Sequence, residues 1–269
     1  MRPASDEEGG RSAEPRVGSL TIFFPMWNEE DYITATVDAG REICQRLMAE
    51  GEIGDYELLV VDDASTDATG TIADGLAGRD PRVRVVHHPV NRRLGGCIKT
   101  GFANSRGDLV LYTDADLPCD VGELAKACRL LRYYDADIVS AYRHDRTGEG
   151  SQRALYSWVY NWVIRLAFGL RIRDVNFAFK LCRRTVLDKI ELASEGSFID
   201  AELLVRAQRL GFKTIQFGVD YFPRTRGIST LSSNAVILQI IKEMRQLHDE
   251  LQALSPLPAG VLRPAPDDR

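Results

Sequence analysis

The sequence predicts an α/β fold in which helices flank a mostly parallel central sheet, and three observations lead to this prediction. Short apolar, β-rich runs alternate with amphipathic stretches along most of the chain. The first strands are continuous apolar runs, as at residues 56–61, which is typical of parallel strands buried on both faces. The length of 269 residues and the 44% hydrophobic content suit one large domain with a substantial core. We find no internal repeat or shift of composition, so we expect a single domain.

The elements follow from the position of each run. The predicted strands are residues 19–24, 56–61, 83–87, 108–112, 138–141, 177–181 and 213–217. The predicted helices are residues 29–49, 67–77, 95–105, 121–133, 154–168, 184–191, 199–210 and 233–253. Repeated strand–helix units of this kind are typical of a doubly wound parallel sheet.

Both ends of the chain differ in composition from this core. Residues 1–17 are charged and contain glycine and proline, and residues 255–269 are rich in proline, so both are predicted to be flexible tails. The domain proper is then residues 18–232. Residues 233–254 carry apolar side chains at helical spacing, so we expect an amphipathic helix that packs on the sheet. A dimer seam and a membrane-lying anchor are alternatives for this helix.

Charge and cysteine content exclude several classes of protein. The 34 basic and 39 acidic residues give a net charge of −5, which argues against a general nucleic-acid binder. The five cysteines are scattered and never spaced as CxxC, which indicates neither a disulfide framework nor a zinc site and fits a reducing cytoplasm. The N-terminus lacks the apolar run of a signal peptide. The longest apolar stretch, residues 155–170, contains Asn161 and Arg165 and is not expected to cross a membrane.

Asp114 and Asp116 are the first candidate site, because they follow a predicted buried strand. Residues i and i+2 at the end of a strand point to the same face, so the two carboxylates are expected to converge. Hard oxygen ligands with open remaining positions suit Mg²⁺ or Mn²⁺ shared with substrate phosphates. An acidic turn before the next helix is the alternative interpretation. Ligands of open parallel sheets bind beyond the carboxyl ends of the strands, which favours the metal site.

Asp62 and Asp63 end the preceding apolar strand. Ser65 and Asp67 can cap the helix that follows, but capping does not account for two acids at the strand end. A carboxylate at this place can accept hydrogen bonds from a nucleobase or a ribose hydroxyl.

Other common nucleotide and hydrolase motifs do not occur. The glycines at 95, 96 and 101 match neither GxGxxG nor a Walker A loop, and there is no GxSxG elbow. Hydride transfer, NTP hydrolysis and serine-hydrolase chemistry are therefore not predicted.

An ordered set of motifs resembles a known family. In the first half it comprises Pro25 with Asn28-Glu29, residues 61–67, Asn91 with Gly95-Gly96 and Gly101, and Asp114-Ala115-Asp116. The second half adds residues 140–143, Arg153, residues 174–180, residues 200–204 and residues 224–229. Over about residues 18–232 the set resembles the inverting GT-A glycosyltransferases of family 2, and its second half resembles the polyprenyl-phosphate (dolichol-phosphate) mannose or glucose synthases. The resemblance implies a single GT-A, Rossmann-like domain.

The resemblance also implies roles for individual residues. The donor, a UDP- or GDP-sugar, would contact Pro25, Asn28, Glu29, Asp62, Asp63, Gly96, Asp114, Lys180, Asp200, Glu202, Arg224 and Ser229. Asp114 and Asp116 would hold Mg²⁺ or Mn²⁺ on the donor diphosphate. Arg143 and Arg153 would bind an acceptor phosphate, and Asp174 lies where the family has a catalytic aspartate. Pro118 and Thr230 depart from the family, which usually has Gln and Lys there.

A basic region lies between residues 141 and 184, which contain nine Lys or Arg against three acids. This asymmetry indicates an anionic partner, although a solvated basic face is the alternative. Within the region, residues 155–168 place Trp158 and Trp162 on one helical face with Arg165 close by, which matches an interfacial membrane helix. A core helix with aromatic packing is the other interpretation.

Together these features predict a metal-dependent glycosyltransferase that moves a sugar from a nucleotide-sugar to a polyprenyl phosphate at the cytoplasmic face of a membrane. An anionic phosphate acceptor needs positioning more than deprotonation, whereas a hydroxyl acceptor requires a base, for which Asp174 is the candidate. Two alternatives remain: a transferase with a soluble hydroxyl acceptor, and a catalytically silent nucleotide-binding scaffold.

Overall fold

Alternating strands and helices form one sheet with a helical layer on each face. The computed structural model describes residues 16–144, 151–222 and 234–262, without the side chains of residues 151–156, 234, 235 and 259. The strands are β1 (Ser19–Met26), β2 (Asp55–Asp62), β3 (Val83–His87), β4 (Leu109–Thr113), β5 (Ile138–Arg143), β6 (Phe179–Arg183) and β7 (Thr214–Val219). The helices are α1 (Ile33–Ala49), α2 (Thr69–Ala77), α3 (Arg93–Asn104), α4 (Glu123–Tyr133), α5 (Ser151–Phe168), α6 (Arg184–Leu187), α7 (Ile199–Leu210), α8 (Asn234–Ala253) and α9 (Ala259–Leu262).

The sheet has the strand order β3-β2-β1-β4-β6-β5-β7. The strands β3, β2, β1 and β4 are parallel, and so are β5 and β7. Only β6 runs antiparallel to both of its neighbours among the strands described. The predicted α/β class and mostly parallel sheet are therefore confirmed. The carboxyl ends of β1, β2 and β4 meet at one edge, where ligands of such sheets bind.

Successive side chains of β1 point into two separate core layers, as the period of two in a strand requires. Ile22 packs with Leu124 of α4 on the face that also carries α1 and α2. Phe23 packs on the opposite face with Ile98 of α3 and Leu204 of α7, where α5 and α8 also lie. Because both faces are covered, the central strands are apolar along their whole length.

Several elements begin later than the sequence predicts, and in α1 and β6 a turn takes the missing residues. Asn28 has a φ of 56°, and Tyr32 and Ile33 both donate to the carbonyl of Glu29, so α1 begins only at Ile33. Phe177 donates to the Asp174 carbonyl at 3.0 Å, so residues 174–177 form a turn and β6 starts at Phe179.

The segment after α8 differs from the flexible tail predicted for residues 255–269. The Leu257 N–H donates to the Leu210 carbonyl at 3.0 Å, and Leu257 and Leu262 pack against the core on the α7 side. Residues 255–262 are thus attached to the domain by apolar contacts that their proline content concealed.

All five cysteines are buried thiols. Burial raises the pKa of Cys119, Cys128 and Cys182 to about 12, and it raises the pKa of Cys44 and Cys97 as well. No helix in the described part of the chain combines the length and apolarity needed to cross a bilayer.

Candidate active site

A turn directly after β4 carries Asp114 and Asp116 at the carboxyl edge of the sheet. Leu117 donates to the Asp114 carbonyl at 3.2 Å and has a φ of 47°, which closes the turn. The Thr36 hydroxyl of α1 donates to the Ala115 carbonyl between the two acids. Both aspartates are partly exposed. The turn is therefore held from α1 while its two acids remain accessible to a ligand.

Tyr112, the penultimate residue of β4, lies beneath this turn. Its ring stacks on Phe23 with 5.6 Å between ring centroids. Burial raises the pKa of Tyr112 far above its ordinary value, and the charge of Asp114 raises it further. Tyr112 thus stays a neutral phenol next to Asp114.

Lys180 and Asp200 form a buried ion pair on the other side of the Tyr112 ring. Lys180 Nζ lies 2.6 Å from Asp200 Oδ1, donates to the Phe177 carbonyl at 2.8 Å, and sits 5.6 Å from the Tyr112 centroid. Their side chains are 0% and 2% exposed. Burial raises the pKa of Asp200, and Lys180 opposes this shift. Both residues were predicted to contact the donor, and in the structure they pair with each other next to the Tyr112 ring.

Arg143 and Asp174 form a second buried ion pair, at the end of β5. The guanidinium donates from Nε to Asp174 Oδ2 at 2.7 Å and from Nη2 to Oδ1 at 2.6 Å. Phe177 and Tyr221 flank it, with centroids 5.5 and 5.1 Å from the Arg143 Cζ atom. Separate roles were predicted for these residues, whereas the structure makes them one unit.

Asp62 is engaged through both carboxylate oxygens. Oδ1 accepts the Ser65 N–H at 3.1 Å, and Oδ2 lies 2.8 Å from His87 Nδ1. His87 is the residue opposite Asp62 in the β2–β3 register. Hydrogen bonding to Asp62 raises the pKa of His87.

Asp63 is buried in a similar network one residue further on. Its Oδ1 lies 2.6 Å from His88 Nδ1 and accepts the Arg92 N–H at 2.7 Å. His88 Nε2 lies 2.8 Å from the Thr100 hydroxyl of α3. The two acids therefore have structural roles, since Asp62 binds His87 at the end of β3 and Asp63 binds His88 directly after it.

The loop after β1 and the loop after β2 are joined by hydrogen bonds. Asn28 donates from its backbone to the Ser65 hydroxyl at 3.0 Å and accepts the Thr66 N–H on Oδ1 at 2.8 Å. The Glu29 N–H donates to the Thr69 hydroxyl at 2.8 Å. Pro25 lies at the end of β1 behind these loops. Asn28 is exposed, so its side chain borders the predicted nucleoside site.

Glu202 and Gly96, both predicted to contact the donor, make packing contacts with the loop at residues 193–196. The four consecutive backbone N–H groups of this loop donate to two buried carboxylates, Glu202 of α7 and Glu243 of α8, at 2.8 to 3.3 Å. Both carboxylate oxygens of Glu202 thus bind this loop. The loop lies against α3, where a Cβ atom at Gly95 would come within 2.4 Å of a loop carbonyl and one at Gly96 within 2.9 Å of the Glu195 carboxylate. Close packing therefore accounts for the two glycines.

Three predicted residues cannot be placed. Arg153 lies on α5 but its side chain is outside the described residues, and Arg224 and Ser229 lie outside them altogether. Their roles stay predictions.

Two groups of side chains have the composition of a metal site. Asp114 and Asp116 offer hard oxygen ligands on an accessible turn, which suits Mg²⁺ or Mn²⁺ with its remaining positions left for phosphate and water. Asp63, His88 and Cys97 also bring ligand atoms within 4.8 Å of one another. The hydrogen bonds of Asp63 and His88 account for the arrangement of that buried group without a metal. The turn is therefore the candidate metal site among the described residues.

Comparison with known proteins identifies the family of the chain. The model of "Glycosyl transferase family 2" matches residues 21–191. The chain belongs to this family. The matched residues extend from β1 to beyond β6. They include the acidic turn, the Arg143–Asp174 pair and Lys180, but not Asp200.

Several characterised members are similar to the chain. Polyprenol monophosphomannose synthase of Mycolicibacterium smegmatis is 30% identical over 253 residues, covering 88% of the chain and 91% of the relative. Undecaprenyl-phosphate mannosyltransferase of Micrococcus luteus is 29% identical, covering 81% and 88%. Glycosyltransferase AglD of Haloferax volcanii is 32% identical over 80% of the chain, which spans only 36% of AglD.

Solved structures share the fold at low identity. Glucosyl-3-phosphoglycerate synthase of Mycobacterium tuberculosis, in complex with phosphoglyceric acid, superposes with a TM-score of 0.64 at 21% identity. The superposition covers 91% of this chain and 82% of the synthase chain. The mannosyltransferase PcManGT of Pyrobaculum calidifontis, in complex with GDP-Man and Mn²⁺, gives a TM-score of 0.57 at 19% identity, covering 90% and 69%. These likenesses confirm the predicted GT-A fold.

Proposed function

We propose that the protein is a divalent-metal-dependent inverting glycosyltransferase that moves a hexose from a UDP- or GDP-sugar to a polyprenyl phosphate. The accessible Asp114–Asp116 turn and the buried Arg143–Asp174 pair carry this proposal, because they lie at the carboxyl ends of β4 and β5, at the same edge of the sheet and separated by β6. One well-covered relative is named an undecaprenyl-phosphate mannosyltransferase and the other a polyprenol monophosphomannose synthase, which supports the acceptor class.

The donor side is assigned to the carboxyl edge of β1, β2 and β4. A nucleoside diphosphate there would border Asn28 and the Asp63 network, with its diphosphate at Asp114 and Asp116. A bound Mg²⁺ or Mn²⁺ supplies electrostatic stabilisation of the negative charge that develops on the leaving diphosphate. The chain itself contributes a turn fixed by Thr36 and a neutral phenol, Tyr112, so the acids are positioned before the donor binds.

The acceptor side is assigned to Arg143 and Asp174. Asp174 receives two charge-assisted hydrogen bonds from Arg143, and both of its oxygens are engaged, so it is poorly placed to take a proton from a hydroxyl. A phosphate monoester is already anionic at neutral pH and needs no base. Its oxygen can attack the anomeric carbon as the bond to the diphosphate breaks, and the pairing of Asp174 with Arg143 therefore favours a phosphate acceptor over a hydroxyl acceptor.

A lipid acceptor requires access to a membrane surface, for which α5 is the candidate. Ile164 and Phe168 of α5 are buried, whereas Trp158, Trp162 and Leu166 are 64%, 52% and 65% exposed on its outer face. Residues 151–173 contain four arginines and no acid, which suits anionic lipid. The inner face of α5 then packs as a core helix, and its outer face is available to a membrane. We therefore propose that the protein lies at the cytoplasmic surface of a membrane.

The proposal is tested by sugar transfer to undecaprenyl phosphate from GDP-mannose, UDP-glucose and UDP-galacturonate, each with and without Mn²⁺. We expect metal-dependent formation of the glycolipid with at least one donor. Donor hydrolysis or transfer to a soluble alcohol, with no glycolipid, would favour the hydroxyl-acceptor enzyme. Donor binding without any turnover would favour the silent scaffold.

Membrane contact is tested by cosedimentation with vesicles containing phosphatidylglycerol. Trp158→Ser and Trp162→Ser are expected to reduce binding, because each removes an exposed indole from the outer face of α5. Tyr133→Ser is the matched control, since Tyr133 is 83% exposed on α4 at the opposite face of the sheet. Equal losses for all three variants would contradict an α5 membrane face.

A further inference from the structure

Asp174 adopts a backbone conformation that a residue with a side chain disfavours. Its φ is 52°, in the left-handed region, although it is not a glycine. Conformations of this kind persist only where the surrounding structure fixes them, and they cluster at functional sites. The residues that fix Asp174 are therefore informative.

Gln216 of β7 binds the residue before Asp174 through both ends of its amide. Gln216 Oε1 accepts the Arg173 N–H at 2.8 Å, and Nε2 donates to the Arg173 carbonyl at 2.8 Å. A single side chain thus satisfies both backbone groups of Arg173, in the way that a neighbouring strand would.

Asn161 of α5 binds the residue after Asp174. Its Oδ1 accepts the Val175 N–H at 3.0 Å, while its Nδ2 donates to the Ser157 carbonyl one helical turn earlier at 2.7 Å. The second bond fixes which way the amide points. Asn161 therefore presents an oxygen to Val175 from the inner side of the helix whose outer face carries the exposed tryptophans.

We propose that Asn161 and Gln216 are positioning residues, which hold Asp174 in its left-handed conformation so that Arg143 is oriented toward the acceptor phosphate. The inference rests on the proposed function, since it assigns Arg143 to the acceptor. With both neighbours held, the Asp174 carboxylate meets Arg143 Nε and Nη2 at 2.7 and 2.6 Å. Because one of the two amides lies on α5, the acceptor-side pair is also connected to the helix that we assign to the membrane.

The test compares Asn161→Leu, which has a similar volume but no acceptor, with Asn161→Asp, which keeps an oxygen for Val175. Gln216→Leu removes the second contact. We expect each leucine variant to raise KM for undecaprenyl phosphate about tenfold, the equivalent of about 1.4 kcal/mol, with KM for the nucleotide-sugar unchanged. Asn161→Asp should restore most of the loss. Asn104→Leu is the control, because Asn104 donates a similar amide bond to the Thr100 carbonyl on α3.

A purely structural role is distinguished by repeating the leucine substitutions in an Asp174→Asn background. If both amides act through Asp174, they should have little further effect there. Full additivity, or equal effects of Asn161→Leu and Asn161→Asp, would overturn the inference.

A readout independent of any acceptor separates this inference from the proposed function. The Arg143 Nε–H NMR resonance should be protected from exchange in the wild type and in Asn161→Asp, and lose protection in Asn161→Leu. If the wild type transfers no sugar to polyprenyl phosphate, the proposed function is wrong, and unchanged protection in Asn161→Leu would refute the positioning of the pair.

Discussion

Replacing Lys180 with Met tests whether the stability of the protein depends on charge compensation in the buried Lys180–Asp200 pair. The substitution keeps much of the side-chain volume but leaves Asp200 buried without its cation, and it also removes the hydrogen bond to Phe177 and the contact with the Tyr112 ring. Removing one partner of a buried ion pair costs about 3–5 kcal/mol of unfolding free energy. Since Lys180 is 0% exposed and Asp200 2% exposed, solvent cannot replace the lost partner, and we expect the full range at pH 8.

The loss should be smaller at pH 5. Burial raises the pKa of Asp200 and Lys180 lowers it, so without the lysine the pKa of Asp200 in the folded protein rises further above its ordinary value. A carboxyl group with a raised pKa in the folded state destabilises the protein increasingly as the pH rises from the unfolded value to the folded one. Protonation of Asp200 at low pH therefore removes part of the penalty.

Urea unfolding followed by tryptophan fluorescence at pH 5 and pH 8 measures both effects. Lys180→Met combined with Asp200→Asn should recover much of the stability, since no buried charge remains. Lys189→Met is the control, because Lys189 is exposed. A loss below about 1 kcal/mol at pH 8, or an equal loss at both pH values, would refute the reasoning.

Three further predictions concern the metal turn, the packing of α3 and pH dependence. Asp116→Asn should abolish most metal-stimulated transfer while leaving the melting temperature without metal nearly unchanged, as checked by a Mn²⁺ titration of turnover and a thermal melt; full activity at ordinary Mn²⁺ would exclude it as a ligand. Gly95→Ala should destabilise the protein by about 1–3 kcal/mol in urea unfolding, because the added Cβ would lie 2.4 Å from the Ser194 carbonyl oxygen, and a neutral effect would show that the loop yields. Hydrogen bonding to Asp62 raises the pKa of His87, so its contribution to stability is complete below the unfolded pKa of about 6.5 and is lost as the pH rises through the folded pKa; His87→Gln should flatten the stability profile above pH 6.5, and an unchanged slope would contradict this.

The layered fold could be predicted because its signals are local. Continuous apolar runs identified the strands, and the later starts of α1 and β6 arose where residues at positive φ, Asn28 and Asp174, introduce turns. Asn and Asp adopt positive φ more readily than other residues with a side chain, but propensity does not show which of them does so. The contacts that hold Leu257 are long-range, which is why composition suggested a flexible tail.

The site was only partly accessible to the same reasoning. Strand ends located the acidic turn, but pairing across the sheet decides what each acid contacts, and nothing in a single sequence linked Asp174 to Arg143. Helical geometry could have separated Asp200 from Glu202, because two residues two positions apart on a helix lie about 200° apart and cannot face one site. Asn161 had a visible signal as well, because it is a polar residue at helical spacing from the apolar, buried Ile164 and Phe168.

Alkylation of the buried cysteines can report conformational opening of the protein. A thiol with a pKa near 12 or above reacts with alkylating reagents only when it is exposed, so modification should follow the rate at which each region opens. Cys97 lies beside Asp63 near the proposed nucleoside site, whereas Cys182 lies inside β6. Comparing alkylation at these two positions can therefore distinguish local release of the nucleotide side from unfolding of the whole sheet.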